Sequence, residues 1–164
     1  MIKKDLSFLE NEYLHFLLMN YFIGENDIEL NTEYYTYLPK GKVSFISPED
    51  GEKVDIESTN ISDCAEMYTS LKDSKIIKQI TMTLNGKNIT IDFVLKTSPL
   101  RITGILAPKS LAEEFDDKVM ERLLYFDLVK QFYQKTLKSF LELRISDDWR
   151  HLLKNFEDYL SKIV

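Results

Sequence analysis

The side chains able to do chemistry in this chain are few and scattered. Its two histidines, His15 and His151, both fall in apolar helical sequence. Neither stands at metal-ligand spacing or beside a nucleophile motif, which argues for ordinary structural roles. Cys64 is the only cysteine, so no intramolecular disulfide or thiolate metal cage can form. No adjacent histidine or basic residue marks it as activated, and it reads as a small buried hydrophobe in a reducing compartment. With five glycines and neither G-x-G-x-x-G nor G-x-x-x-x-G-K-[ST], the chain lacks a phosphate-cradling loop. No cofactor and no resident metal are expected.

Carboxylates give the best enzymatic candidate. Asp92 has Lys96 four residues on, and Asp73-Ser74-Lys75 lies upstream. An acidic pair with lysine can hold Mg²⁺ for phosphodiester cleavage, so these residues form the alternative, nuclease-like site. The spacing is unspecific, and a solvent-exposed charge pair explains Asp92 and Lys96 equally well. Glu49-Asp50, Glu113-Glu114, Asp116-Asp117 and Asp147-Asp148 fall at turns or helix starts, where they complement helix dipoles or face water. Lys130, Lys135, Lys138, Arg144, Arg150 and Lys154 are interleaved with Tyr125, Phe132, Tyr133 and Trp149. Asp127, Glu142, Asp147 and Asp148 dilute that basic set, which makes a weak nucleic-acid patch.

Tyr34, Tyr35 and Tyr37 lie close to Glu29 and Glu33. Successive strand positions point to both faces of a sheet, so at least one of these tyrosines should be partly exposed, and tyrosine is enriched at interface hot spots. They form the candidate protein interface. Charge is also uneven: residues 1–66 carry a formal charge of −9 and residues 67–164 carry +3. An acidic surface of this kind suits a basic protein partner.

Positioning these residues requires a definite set of elements. Ser7-Phe8-Leu9-Glu10 fits a capping box that opens a helix to Ile23, with Gly24 as its left-handed stop. Between Tyr13 and Ile23 only His15 and Asn20 are polar, so this helix is too apolar for an ordinary amphipathic flank. It is either sandwiched in the core or docks another chain. Glu33–Leu38 reads as a strand ending at the turn Pro39-Lys40-Gly41. Val43 and Phe45 then alternate in a second strand, and Val54 and Ile56 in a third after Pro48-Glu49-Asp50-Gly51. Asn60–Lys72 has helical spacing.

Asn85-Gly86 between two alternating runs signals a two-residue type I′ hairpin. The implied register sets Met82 against Ile89, Ile80 against Ile91, Thr83 against Asn88 and Gln79 against Asp92, with Lys78 against Phe93 as the one poor match. Leu100–Leu106 suggests a further strand. Ser110-Leu111-Ala112-Glu113 repeats the capping-box pattern. Leu111, Phe115, Val119, Leu123, Phe126, Val129, Tyr133, Leu137 and Phe140 recur at three- and four-residue intervals through a long amphipathic helix, or two helices with a bend. A break at Ser146-Asp147-Asp148 leads to a last helix bearing Trp149, Leu152, Leu153, Phe156, Leu160 and Ile163, which implies an antiparallel helical hairpin.

The expectation is one α+β domain over 1–164: an N-terminal helix, a mainly antiparallel sheet of five or six strands with an inserted short helix, and a C-terminal helical hairpin. At 164 residues, 44% hydrophobic and net −6, the chain can bury a core and is expected to be cytoplasmic. No run of about 18 apolar residues could cross a bilayer. The element order is similar to that of small acidic secretion chaperones, apart from the extra C-terminal helix, and no motif accompanies the likeness. The expected function is a non-enzymatic protein-binding module: an adaptor, chaperone, immunity factor or inhibitor. Self-association through the N-terminal or C-terminal helices is a further expectation. The alternative is a nucleic-acid-binding or nuclease-like component using the hairpin's polar face.

Overall fold

The computed structural model describes residues 7–58, 65–73, 75–106, 108, 110 and 112–162. Cys64, Asn60, Ile61, Ser74, Leu111 and Ile163 lie outside them. Helix α1 (Ser7–Phe22) is followed by strands β1 (Asp27–Leu30), β2 (Glu33–Ile46) and β3 (Lys53–Ser58) and by helix α2 (Ala65–Lys72). Strands β4 (Ile76–Asn85), β5 (Thr90–Lys96) and β6 (Arg101–Leu106) lead into helices α3 (Phe115–Arg144) and α4 (Asp148–Ser161). The sheet is antiparallel, in the order β1-β2-β4-β5-β6, and β3 pairs with β2 on the same edge as β1. The architecture is the α+β fold read from the sequence.

Three sheet details differ from that reading. Asp27–Leu30 forms a strand that was not expected. It pairs with β2 across Asn31 and Thr32, whose φ values of 49° and 63° are those of a two-residue type I′ turn. Pro39-Lys40-Gly41 does not end a strand. Pro39 pairs with Met82 and Val43 with Ile80, so three β2 residues oppose one of β4, and Gly41 takes φ 89°. This is a bulge: a left-handed glycine bends the strand without taking it out of the sheet, and a proline tolerates the lost ladder bond there.

The Asn85-Gly86 hairpin is the third difference. Asn85 pairs with Thr90, Leu84 with Ile91, Thr83 with Asp92, Met82 with Phe93 and Ile80 with Leu95. The loop therefore has four residues, closed by Gly86 N–H donating to Ile89 O at 2.7 Å, and Gly86 is not left-handed. The even offset preserves every side chain's face, which is why alternation alone could not detect it. It also removes the Lys78–Phe93 mismatch. Gly86 meets another constraint, since a Cβ there would stand 2.5 Å from Tyr35 Cε1.

All four helices contribute to the core on one face of the sheet. Tyr37, Val43, Phe45, Ile80, Met82, Leu84, Phe93 and Leu95 are buried there. Helix α1 lies between strands β2 and β4 and helix α3, burying Tyr13, Leu14, Phe16, Leu17, Leu18 and Met19. Its all-round apolar sequence is thus spent inside the domain. Gly24 (φ 81°) stops it, and Glu25 N–H donates to Asn20 O. Glu10 accepts hydrogen bonds from the amides of Ser98 and Leu100, at 3.0 and 2.9 Å. Phe132 of α3 packs edge-on against Tyr37 and Phe93, joining helix to sheet.

Tyr13 donates to Thr136 Oγ1 at 2.7 Å, and Thr136 donates in turn to Phe132 O at 2.7 Å. This satisfies two buried hydroxyls between α1 and α3, and burial pushes the Tyr13 phenol well above its ordinary value. The α3–α4 turn keeps the expected break, with Ser146 Oγ donating to Leu143 O and accepting from Asp148 N.

Candidate functional site

The tyrosine cluster divides. Tyr34 is 75% exposed, whereas Tyr35 and Tyr37 are buried. Tyr37 donates no surface at all: it packs on Phe132, accepts from Asn20 Nδ2 at 3.3 Å, and has its phenol pushed up to about 12 by burial. Strand alternation places Tyr34 opposite Glu29 on one face, and Glu33 with Tyr35 on the other. Of the expected interface, only Tyr34 and Glu29 remain together on exposed surface.

The alternative acidic site is also dispersed. Asp92 accepts from Thr83 Oγ1 at 2.6 Å, near the end of β4 that is distant from Asp73 and Lys75. About eight strand residues separate the two ends, roughly 25 Å at 3.3 Å per residue. Among the described residues no cluster of three histidine, cysteine or carboxylate side chains could hold a metal. Lys96 belongs with a different group of residues, taken up below.

Burial also explains His15. Its Nε2 lies 3.3 Å from Lys75 O, and a carbonyl accepts, so Nε2 carries the hydrogen of a neutral ring. Loss of solvation drives the pKa down to about 4 against the small opposing effect of that bond. The ring borders a cleft of about 680 Å³ between α1, α2 and α4, lined by Met19, Leu71, Trp149, Phe156 and Leu160. The cleft is largely apolar, with Glu12, Lys72, Glu157 and Ser161 also on its lining; Glu12 is paired with Arg144, and Ser161 Oγ donates to Asp158 O.

The feature without an internal explanation is the first part of α3. A 30-residue helix is about 45 Å long, against about 30 Å for the diameter of a small domain. Its buried residues begin only at Leu128 and continue through Val129, Phe132, Thr136 and Phe140. N-terminal to these, Phe115 (76% exposed), Val119, Leu123 (55%) and Phe126 recur at helical spacing as one exposed stripe, flanked by Met120 and Leu124. Six such side chains, about half exposed, present on the order of 500 Å² of apolar surface. That approaches the largest patch a monomer normally tolerates and the contribution of one partner to a stable interface.

The helix starts at Phe115, with Glu114 as an uncapped N-cap. Ser110 Oγ instead accepts from Ala112 N in a local turn, so the second capping box does not open the helix. The stripe's spacing is continuous with that of Tyr133, Leu137 and Phe140, so the pattern of one long amphipathic helix does not set it apart. The readable signal was length: the pattern is longer than the body it would pack on.

Comparison with known proteins is negative throughout: no family model, no curated protein and no solved structure matches this chain.

Proposed function

We propose that the chain is a non-enzymatic protein-binding module whose docking element is the exposed first half of α3, and that its first occupant is a second copy of the same chain. The observation that supports this is the unburied stripe Phe115–Val119–Leu123–Phe126 on an otherwise well-packed domain. A straight amphipathic helix can pair with its own copy about a two-fold axis, so one surface supplies both sides of the interface. Antiparallel pairing about Leu123 sets Met120 of one chain by Phe126 of the other. It also brings Asp116 of one chain near Lys130 of the other. The acidic helix start thereby meets a basic residue across the interface, complementary charge that fixes register more than it adds affinity.

Light scattering on a size-exclusion column tests this. The expected mass is twice the 19.3 kDa of one chain, and Leu123→Asp should return it to one chain without altering circular dichroism. A native monomer over the whole accessible concentration range, or a dimer indifferent to Leu123→Asp, rejects the pairing. An acidic, tyrosine-bearing contact surface has less to support it, because Tyr35 and Tyr37 are core residues.

A further inference from the structure

The sheet's polar face carries a basic row that neither the core nor α3 explains. Adjacent strands bring Ser44, Gln79, Lys96 and Arg101 into one cross-strand line over β2, β4, β5 and β6: Ser44 pairs with Gln79, Gln79 with Lys96, and Lys96 with Arg101. Lys78 and Lys53 join them around a groove of about 530 Å³, the size of a small-molecule site. Only strand and turn residues line it, and Asp55 is its only carboxylate. Asp55 is engaged with Lys42 at 3.6 Å, and Lys42 also reaches Glu57 at 3.9 Å.

Among the described residues, Lys53, Lys78, Lys96 and Arg101 make no ion pair. Lys96 and Arg101 stand directly opposite each other, an arrangement that costs stability in an empty sheet. Arg101 Nη1 is nevertheless fixed, donating to Pro99 O at 2.9 Å and Thr97 O at 3.2 Å. Unpaired, held like charges around a polar floor, in a chain whose net charge is −6, are arranged for an anion.

We infer that this groove binds contiguous phosphate groups, as in a free polyphosphate or the polyphosphate tail of a nucleotide. The guanidinium and the lysine ammonium groups make charge-assisted hydrogen bonds to phosphate oxygens, and Gln79 supplies a neutral donor from the floor, while the Ser44 hydroxyl holds Asp55. The only aromatic lining residue, Phe45, is buried. The groove therefore lacks the stacking platform by which single strands of nucleic acid are held.

Titration calorimetry at low salt is the test, with tripolyphosphate, ATP, orthophosphate and a short single-stranded DNA as probes. Tripolyphosphate and ATP should both bind, each more tightly than orthophosphate. Lys96→Gln combined with Arg101→Gln should weaken both at least about tenfold, while Lys154→Gln, exposed on α4, leaves binding unchanged. Arg101→Gln gives up the bonds to Thr97 O and Pro99 O along with the repulsion, so Lys96→Gln combined with Lys78→Gln, which leaves those bonds in place, is measured beside it. This second pair should also weaken both ligands and should melt no lower than the wild type, so lost binding cannot be ascribed to unfolding. A preference for ATP assigns the phosphates to a nucleotide, and one for tripolyphosphate to a free chain. The inference is overturned by absence of binding at low salt, by undiminished binding in either double variant, or by tighter binding of DNA at equal phosphate concentration.

Discussion

His15 makes the stability of this domain depend on pH in a calculable way. In the folded chain burial lowers the pKa to about 4, against 6.5 for an unperturbed imidazole. Between those values the unfolded chain binds a proton that the folded chain does not, so stability rises with pH. The contribution is complete above about pH 6.5 and is lost as pH falls towards 4. Each pH unit of separation is worth about 1.4 kcal/mol, so the loss amounts to about 3 kcal/mol. Carboxylates contribute over part of the same range, so the measurement must be a difference. His15→Gln places a non-titrating amide where Nε2 stands and keeps a donor for Lys75 O. Urea unfolding followed by circular dichroism should be run on both proteins from pH 7.5 to pH 4. The wild type should lose about 3 kcal/mol more than the variant, with most of the divergence below pH 6.5. Parallel stability curves for the two proteins would refute the reasoning, as would a divergence confined to pH above 7.

Three other substitutions test the packing. Tyr13→Phe removes the donor to Thr136 while Thr136 keeps Phe132 O, so it should cost about 1 kcal/mol by denaturant unfolding; a neutral result would mean that the bridge is not formed in solution. Phe132→Ala deletes the ring shared by Tyr37 and Phe93 and should cost about 3–5 kcal/mol, a value that a melting curve would show at once. Gly86→Ala drives a methyl into the Tyr35 ring and should cost about 1–3 kcal/mol. In a Tyr35→Leu background the same substitution should cost markedly less, and equal costs in both backgrounds would exclude the collision.

What was legible in the sequence was whatever local chemistry determines. Gly24, Pro48–Gly51 and the break near Ser146 mark ends that the chain cannot continue through, and the alternation around β4 and β5 shows which side chains face the core. Register was not legible. A four-residue loop and a two-residue loop differ by an even offset, and both leave Ile80, Met82 and Ile91 facing inward. The bulge at Gly41 was hidden because Pro-Lys-Gly signals a turn as strongly as it signals a bend within one strand. Asn31-Thr32 lacks the glycine that usually advertises a type I′ turn, so nothing local announces β1. The candidate surfaces were less legible still. Lys96 stands beside Asp92 along its own strand, whereas its cross-strand neighbours, Gln79 and Arg101, come from the strands on either side. The stripe from Phe115 to Phe126 has the periodicity of a core element, and only three-dimensional placement shows that no core reaches it.

Site-specific cross-linking probes that stripe most directly. In a Cys64→Ser background, Leu123→Cys places one thiol at the expected two-fold axis, and mild oxidation should yield a covalent dimer in high proportion. Glu49→Cys, on the exposed β2–β3 turn at the end of β2 away from the β1 hairpin that α3 touches, should stay monomeric under the same conditions. Failure of Leu123→Cys to cross-link, or equal cross-linking at both positions, would contradict pairing through α3.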